Sequence, residues 1–265
     1  MCELLGMSAN VPTDICFSFA GLVRRGGETG PHRDGWGIAF YEGNGLRAFH
    51  DPLPSARSHI AQMLLDYPIK SRVVISHIRQ ANVGDVCLAN THPFSRELWG
   101  SMWCFAHNGQ LDRSLLDWPL THYHPVGNTD SEYAFCWLLD QIHSRFPDGP
   151  PASEQALAEL VHQCCEKLRG LGVFNMLLSE SKHLFCYCTT KLSWITRRAP
   201  FGEARLRDRD MTVDFGAETT PNDVVTVIAT EPLTDNERWQ RLQSGELILF
   251  ADGEVVQRFY DEAVG

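Results

Sequence analysis

Met1-Cys2-Glu3-Leu4-Leu5-Gly6-Met7 opens the chain, and its second residue governs how the rest is read. The run from Cys2 to Met7 is mostly apolar and predicts a short buried strand. Cysteine at position 2 is small enough for a methionine aminopeptidase to remove Met1, which exposes a thiol and an α-amine on one residue. An α-amine has a pKa of about 7.7–8.0, close to the optimum for a general base near neutrality. One residue then supplies a nucleophile and the base that activates it. Taken alone, Cys2 also fits a plainer role, a small apolar residue starting a strand, so the rest of the chain has to decide.

Working outward, Arg72 to Ile78 is β-branched and bounded by polar loops, which predicts a core strand ending at Arg79. Met102 to Ala106 predicts another, ending at His107-Asn108-Gly109-Gln110. Ser58 to Tyr67 predicts a helix from Ile60, Met63, Leu64 and Tyr67. A longer helix starts at Thr129-Asp130-Ser131-Glu132, a capping-box pattern. Its buried face is Ala134, Leu138 and Ile142, with Trp137 beside them. After Pro147-Asp148-Gly149-Pro150-Pro151, read as a helix–helix loop, a third helix runs from about Ser153 to Arg169. From Val173 onward the pattern is mostly β. Val173–Ser179 and His183–Thr190 form a hairpin, Val224–Thr230 is a strand, and Leu247–Phe250 pairs with Val255–Phe259 across Asp252-Gly253. Strands, then helices, then strands predict a layered α+β domain rather than βαβ units.

Four groups in this frame carry chemistry. The Asn108 side-chain amide beside the Gly109 N–H offers two donors for an oxyanion, and glycine lets the backbone approach closely. Arg79 at a strand end reads a carboxylate through its two-pronged guanidinium. Asp130 in a helix's first turn suits the helix dipole, and it is also a counter-charge for an ammonium group. Each has an ordinary structural reading by itself. Together with Cys2 they form a kit for glutamine: nucleophile and base, oxyanion donors, carboxylate reader and ammonium reader.

The order and spacing of Cys2, His77-Ile78-Arg79, His107-Asn108-Gly109 and Thr129-Asp130-Ser131-Glu132 resemble the class II glutamine amidotransferases. The chain is most similar to their small stand-alone branch, through Asp34-Gly35-Trp36-Gly37-Ile38-Ala39-Phe40, Asn90-Thr91-His92-Pro93-Phe94 and Thr230-Glu231-Pro232-Leu233. The resemblance implies an N-terminal nucleophile hydrolase fold, four layers in the order αββα, with two packed antiparallel sheets between helical layers. It covers residues 2–251 as one amidotransferase domain, with 252–265 as its C-terminal strand and tail. It implies hydrolysis of the glutamine side-chain amide through a Cys2 thioester, with Asn108 and Gly109 in the oxyanion hole and Arg79 and Asp130 on the substrate's α-carboxylate and α-ammonium. Where the family carries an aromatic residue, a small one and a threonine after the arginine, this chain has Gln80, Ala81 and Asn82. Asn82 can still hydrogen-bond a carboxylate and joins the expected substrate-binding set.

The resemblance leaves three readings. One is a glutaminase passing ammonia to a synthase on a separate chain, and another a stand-alone hydrolase of γ-glutamyl amides or peptides. The third is a catalytically silent binding protein of the same fold. No cofactor or metal is expected: His122-Tyr123-His124 and Cys186-Tyr187-Cys188 lack the paired spacing of structural zinc, and Gly26-Gly27-Glu28-Thr29-Gly30 lacks the Gly-Lys-Ser/Thr of a phosphate loop. That glycine-rich stretch reads as a mobile loop near the site. Trp36 either walls the pocket or fills the core.

Bulk composition narrows the setting. The 265 residues are 43% hydrophobic and 21% charged, with a net charge of -10 and 23 scattered Lys and Arg. That is an ordinary enzyme composition without the basic surface that nucleic acid requires. No stretch reaches the roughly 20 apolar residues that span a bilayer, and the N-terminus lacks the basic region of a signal peptide. Nine cysteines in mostly apolar surroundings suit a reducing compartment, so the expected location is the cytoplasm.

Overall fold

Strand β1 (Glu3–Asp14) divides its side chains between two cores. Leu5, Met7 and Ala9 pack beneath helices α1 (Cys16–Arg25) and α2 (His59–Asp66), whereas Leu4 points to the opposite face. This alternation, imposed by the two-residue period of a strand, recurs in β2 (Trp36–Glu42) and β4 (Lys70–Ile78). Trp36, Ile38, Phe40, Val74 and Ile78 face the helices; Ala39, Tyr41, Val73 and Ile75 face the second sheet. A strand buried on both faces reads as a continuous apolar run, as Arg72–Ile78 does. The computed structural model describes residues 2–67, 69–81, 84–217 and 219–260.

With β3 (Gly45–Asp51), β9 (Ser193–Arg198), β12 (Val224–Ala229) and β13 (Gln240–Arg241), these strands form a seven-stranded sheet in the order β13-β9-β12-β1-β4-β2-β3. The second sheet has six strands. It contains β5 (Phe94–Leu98), β6 (Ser101–Leu111), β7 (Gly172–Ser179), β8 (His183–Cys188), β14 (Glu246–Ala251) and β15 (Glu254–Phe259), in the order β15-β14-β8-β7-β6-β5. Every pairing in both sheets is antiparallel. A two-stranded ribbon, β10 (Glu203–Arg205) with β11 (Thr212–Asp214), lies apart. Helices α3 (Asp130–Arg145) and α4 (Glu154–Arg169) cover the second sheet through Phe135, Leu138, Ile142, Leu157 and Val161. The inner layer between the sheets is small and tightly filled by Cys104, Ala106, Leu177, Cys186, Ile228 and Phe250. The architecture is therefore α+β, layered αββα.

Several elements differ from the sequence reading. β6 does not stop at Ala106 but runs through His107-Asn108-Gly109 to Leu111, because β7 pairs with it residue by residue as far as Leu111↔Gly172. In α2 the buried positions are Ala61 and Leu64. Ile60, Met63 and Tyr67 are exposed, so the larger residues lie on the solvent side. The capping box is half formed. Thr129 accepts the Glu132 N–H at 3.2 Å, but the Glu132 carboxylate takes the Val126 and Gly127 N–H groups and Arg96 instead of reaching back to Thr129. Trp36 is wholly core. The stretch Gly26–Gly30 is held by the N–H groups of Glu28 and Thr29 on the Arg24 carbonyl and by Thr29 on Asp208, and it does not line the cavity described below.

Asn175 on β7 ties the second sheet to the loop after β8. Fully buried, it donates to the Asn108 carbonyl and Thr190 Oγ1, both at 2.9 Å, and accepts the N–H groups of Thr189, Thr190 and Lys191. Each stranded buried group costs about 1–3 kcal/mol. Asn175→Ala should therefore lower stability by about 3 kcal/mol or more in urea unfolding, with an unchanged m value. A loss below about 1 kcal/mol would mean that other contacts hold this turn.

Candidate active site

The pairing Glu3↔Ile78 sets Cys2 opposite Arg79 at the carboxyl end of β4. The Gln80 N–H donates to Cys2 Sγ at 3.3 Å, and Sγ lies 3.5 Å from the Gln80 carbonyl. Burial pushes the Cys2 thiol up from its ordinary value, while the Gln80 N–H and the Arg79 charge pull it down; burial wins.

Cys2, Arg79, Gln80, Ala81, His92, His107, Gly109, Gln110, Thr129, Asp130 and Ser131 enclose one narrow cavity of about 30 Å³. The structure thus brings together four of the residues singled out from sequence: Cys2, Arg79, Gly109 and Asp130. Asn108 is adjacent but fully buried and set behind the wall, its Nδ2 3.4 Å from Thr230 Oγ1. Asn82 lies outside the described residues.

The Asp34-Gly35-Trp36-Gly37 motif holds the Arg79 segment. The Arg79 N–H donates to the Gly35 carbonyl at 2.8 Å, the Asp34 N–H to the Arg79 carbonyl at 3.1 Å, and the Ala81 N–H to Asp34 Oδ2 at 2.7 Å. Arg79 is buried, and its guanidinium donates to the carbonyls of Asp85 and Gly84. Gly37 lets the second motif close in: a Cβ there would sit 2.3 Å from the His92 carbonyl. Asn90 fastens the same loop by bonding the Asp85 carbonyl and both the N–H and the side chain of Asn128.

His107 and Ser131, which the sequence reading did not assign, build the opposite wall. His107 Nε2 lies 3.0 Å from the Val173 carbonyl, which can only accept, so Nε2 carries the proton. Nδ1 then accepts the Ser131 hydroxyl at 2.8 Å. Burial keeps the ring neutral against the pull of Asp130. Gly109 is obligatory here, since its Cβ would fall 1.8 Å from the Val173 oxygen and 2.6 Å from His107 Nε2. Asp130 accepts the Leu111 N–H at 2.7 Å and the Ser131 N–H at 2.9 Å, which docks the α3 N-terminus on the end of β6. On the third side His92 stacks on His77, ring centroids 4.2 Å apart. Burial pushes both down, His77 to about 3, so both stay uncharged. Among the described residues no cluster of His, Cys, Asp and Glu could hold a metal ion, and no helix is long and apolar enough to cross a membrane.

The chain as a whole has relatives. The family model for class II glutamine amidotransferases matches residues 1–264. The Escherichia coli (strain K12) protein YafJ is 60% identical over 258 residues, covering 97% of this chain and 100% of that one. A Methanocaldococcus jannaschii protein, MJ1515, is 35% identical over 260 residues, 97% of this chain and 71% of that one. The crystal structure of a predicted glutamine amidotransferase from Pseudomonas aeruginosa PA01 is 56% identical, with a TM-score of 0.76, and covers 97% of this chain and 100% of that chain. Glutamine phosphoribosylpyrophosphate amidotransferase from B. subtilis, at 14% identity and a TM-score of 0.61, shares the fold over 97% of this chain and 49% of its own.

Because burial raises the Cys2 thiol, little thiolate is present at neutral pH. Simple alkylation of Cys2 by iodoacetamide, followed by mass spectrometry of the N-terminal peptide, should be slower at pH 8 than that of free cysteine and should accelerate above pH 9. Alkylation at the free-cysteine rate would show a thiol activated at rest.

Proposed function

We propose that this chain, which belongs to the class II glutamine amidotransferases, hydrolyses the side-chain amide of glutamine through a thioester on Cys2 and releases ammonia to an acceptor on a separate chain. The observation that carries the reading is the convergence of Cys2, Arg79, Gly109 and Asp130 on one cavity. With Met1 removed, the Cys2 α-amine takes the thiol proton as sulfur attacks the amide carbon. The amine returns that proton to the departing nitrogen, and ammonia leaves. Water then hydrolyses the thioester with the same amine as base.

The oxyanion formed at each attack is met by the Gly109 N–H and the Asn108 side chain. Arg79 binds the substrate α-carboxylate and Asp130 its α-ammonium, with Asn82 a further carboxylate donor. The neutral walls formed by His92 and His107 support this assignment, because they leave the opposite charges of Arg79 and Asp130 to select a zwitterion. In this reading residues 2–251 act as one catalytic domain, with 252–265 its C-terminal strand and tail. The enzyme works in the cytoplasm, in keeping with nine free cysteines.

Cys2→Ala should abolish glutamate release from glutamine and leave the unfolding transition in place; residual glutaminase activity well above background sinks the mechanism. Asp130→Ala should cut kcat/KM for glutamine far more than for an analogue lacking the α-amine, since only the intact substrate leaves a charge unpaired. Equal losses on both substrates would reduce Asp130 to docking its helix on β6.

A further inference from the structure

The motif Thr230-Glu231-Pro232-Leu233 takes no part in the chemistry described so far, yet its first residue touches both sides of the site. Thr230 follows β12, the neighbour of β1, and is buried. Its N–H donates to the Leu4 carbonyl at 3.2 Å, and its Oγ1 accepts the Leu4 N–H at 2.9 Å. Thr230 thus clasps the backbone two residues beyond Cys2. The same Oγ1 lies 3.4 Å from Asn108 Nδ2, across the gap between the sheets.

The hydrogen-bond balance of this trio is informative. Oγ1 already accepts from Leu4, so the threonine hydroxyl proton needs an acceptor. With Asn108 Nδ2 on the threonine, Oγ1 accepts twice and has no acceptor for its own proton among the described residues, where Asn108 Oδ1 is likewise buried without a partner. The two ends of a carboxamide have nearly the same shape. A half-turn about the last torsion of Asn108 puts Oδ1 on the Thr230 hydroxyl, and one rotation satisfies both orphaned groups. It leaves the NH2 as the unpartnered end, a donor without an acceptor one residue from Gly109. A carbonyl oxygen there has nothing to offer an oxyanion, whereas an NH2 group does.

We infer that Thr230 is a positioning residue: its hydroxyl, polarised by the Leu4 N–H, holds the Asn108 side-chain oxygen and so presents the NH2 to the oxyanion of the reacting amide. This rests on the glutaminase reading above and adds to it the group that selects the working orientation of the oxyanion donor. The same hydroxyl couples that orientation to the strand carrying Cys2, so nucleophile and donor are registered by one atom. No bond is made or broken at Thr230.

The test compares kcat and KM for glutamine in wild type, Thr230→Val, Thr230→Ser, Asn108→Ala and the Thr230→Val/Asn108→Ala double variant. Removing an oxyanion donor costs about 10²–10³ in kcat. Thr230→Val, which keeps the shape and loses the hydroxyl, should lose roughly ten- to a hundredfold of that in kcat with little change in KM. Thr230→Ser should restore most of it. In the Asn108→Ala background the valine substitution should lower kcat no further. Losses that multiply in the double variant, or a Thr230→Val effect confined to KM, overturn the inference while leaving the glutaminase reading intact. An unchanged kcat in Asn108→Ala overturns the inference together with the oxyanion role of Asn108, and a wild type without glutamine turnover overturns the glutaminase reading. Should the valine variant fail to fold, neutron diffraction of the wild type reads the amide directly: deuterons of Asn108 Nδ2 facing Thr230 overturn the inference, and Oδ1 facing it supports the inference.

Discussion

The register Glu3↔Ile78 between β1 and β4 is the constraint on which the site depends. It sets Cys2 against the Arg79–Gln80 peptide, so that the sulfur meets a backbone N–H, and it puts Arg79 on the cavity wall. A one-residue slip would turn every side chain of β1 to the other face. Leu5 and Met7 would leave the helix-facing core and Leu4 the layer between the sheets, so burial enforces the alignment that brings Cys2 and Arg79 to one cavity. Gly6 belongs to the same constraint: a Cβ there would come within 3.1 Å of Leu177 and 3.2 Å of Leu184 from the second sheet.

The second sheet is held at that close distance by small residues such as Cys104, Ala106 and Cys186. Close packing carries β6 near enough to the start of β1 for Gly109 to line the cavity with Cys2. The outer layer then closes the cavity from the far side, because Asp130 anchors the first turn of α3 to the Leu111 N–H. The site is thus a seam between two sheets and a helix end. Its walls belong to elements distant in sequence and fixed by packing, and none of them is held by a disulfide.

Much of this was legible in the chain. The strand Arg72–Ile78, helices α3 and α4, the β7–β8 hairpin and the β14–β15 hairpin follow from apolar runs, Ser or Thr caps and turn residues, all local signals. Helix α1 leaves no such mark, because its N-cap position is Ile15, without a side-chain cap, so no local signal announces Cys16–Arg25. The exposed face of α2 misled because Ile60, Met63 and Tyr67 share helical spacing with Leu64, and periodicity does not say which side meets a core. Of the cavity lining, Cys2, Arg79, Gly109 and Asp130 stand in motifs that the sequence displays. Ser131 and His107 stood in those motifs too, but their link is a side-chain hydrogen bond across 24 positions that no spacing encodes.

Where buried polar atoms go unsatisfied is itself informative, because each such group costs about 1–3 kcal/mol and most proteins carry few. Among the described residues around Cys2, both nitrogens of His77, both of His92 and the side-chain oxygen of Asn108 have no hydrogen-bond partner. The imidazoles lie on one side of the cavity and Asn108 beside Gly109 on another, whereas at the α3 cap Glu132 alone takes two N–H groups and Arg96. Among the described residues the indole N–H groups of Trp36, Trp99 and Trp103 are also without partners, so the imbalance is shared between the surroundings of Cys2 and the cores. Keeping the two stacked imidazoles uncharged limits that cost, since a buried imidazolium without a counter-ion would be far more expensive than a buried neutral ring.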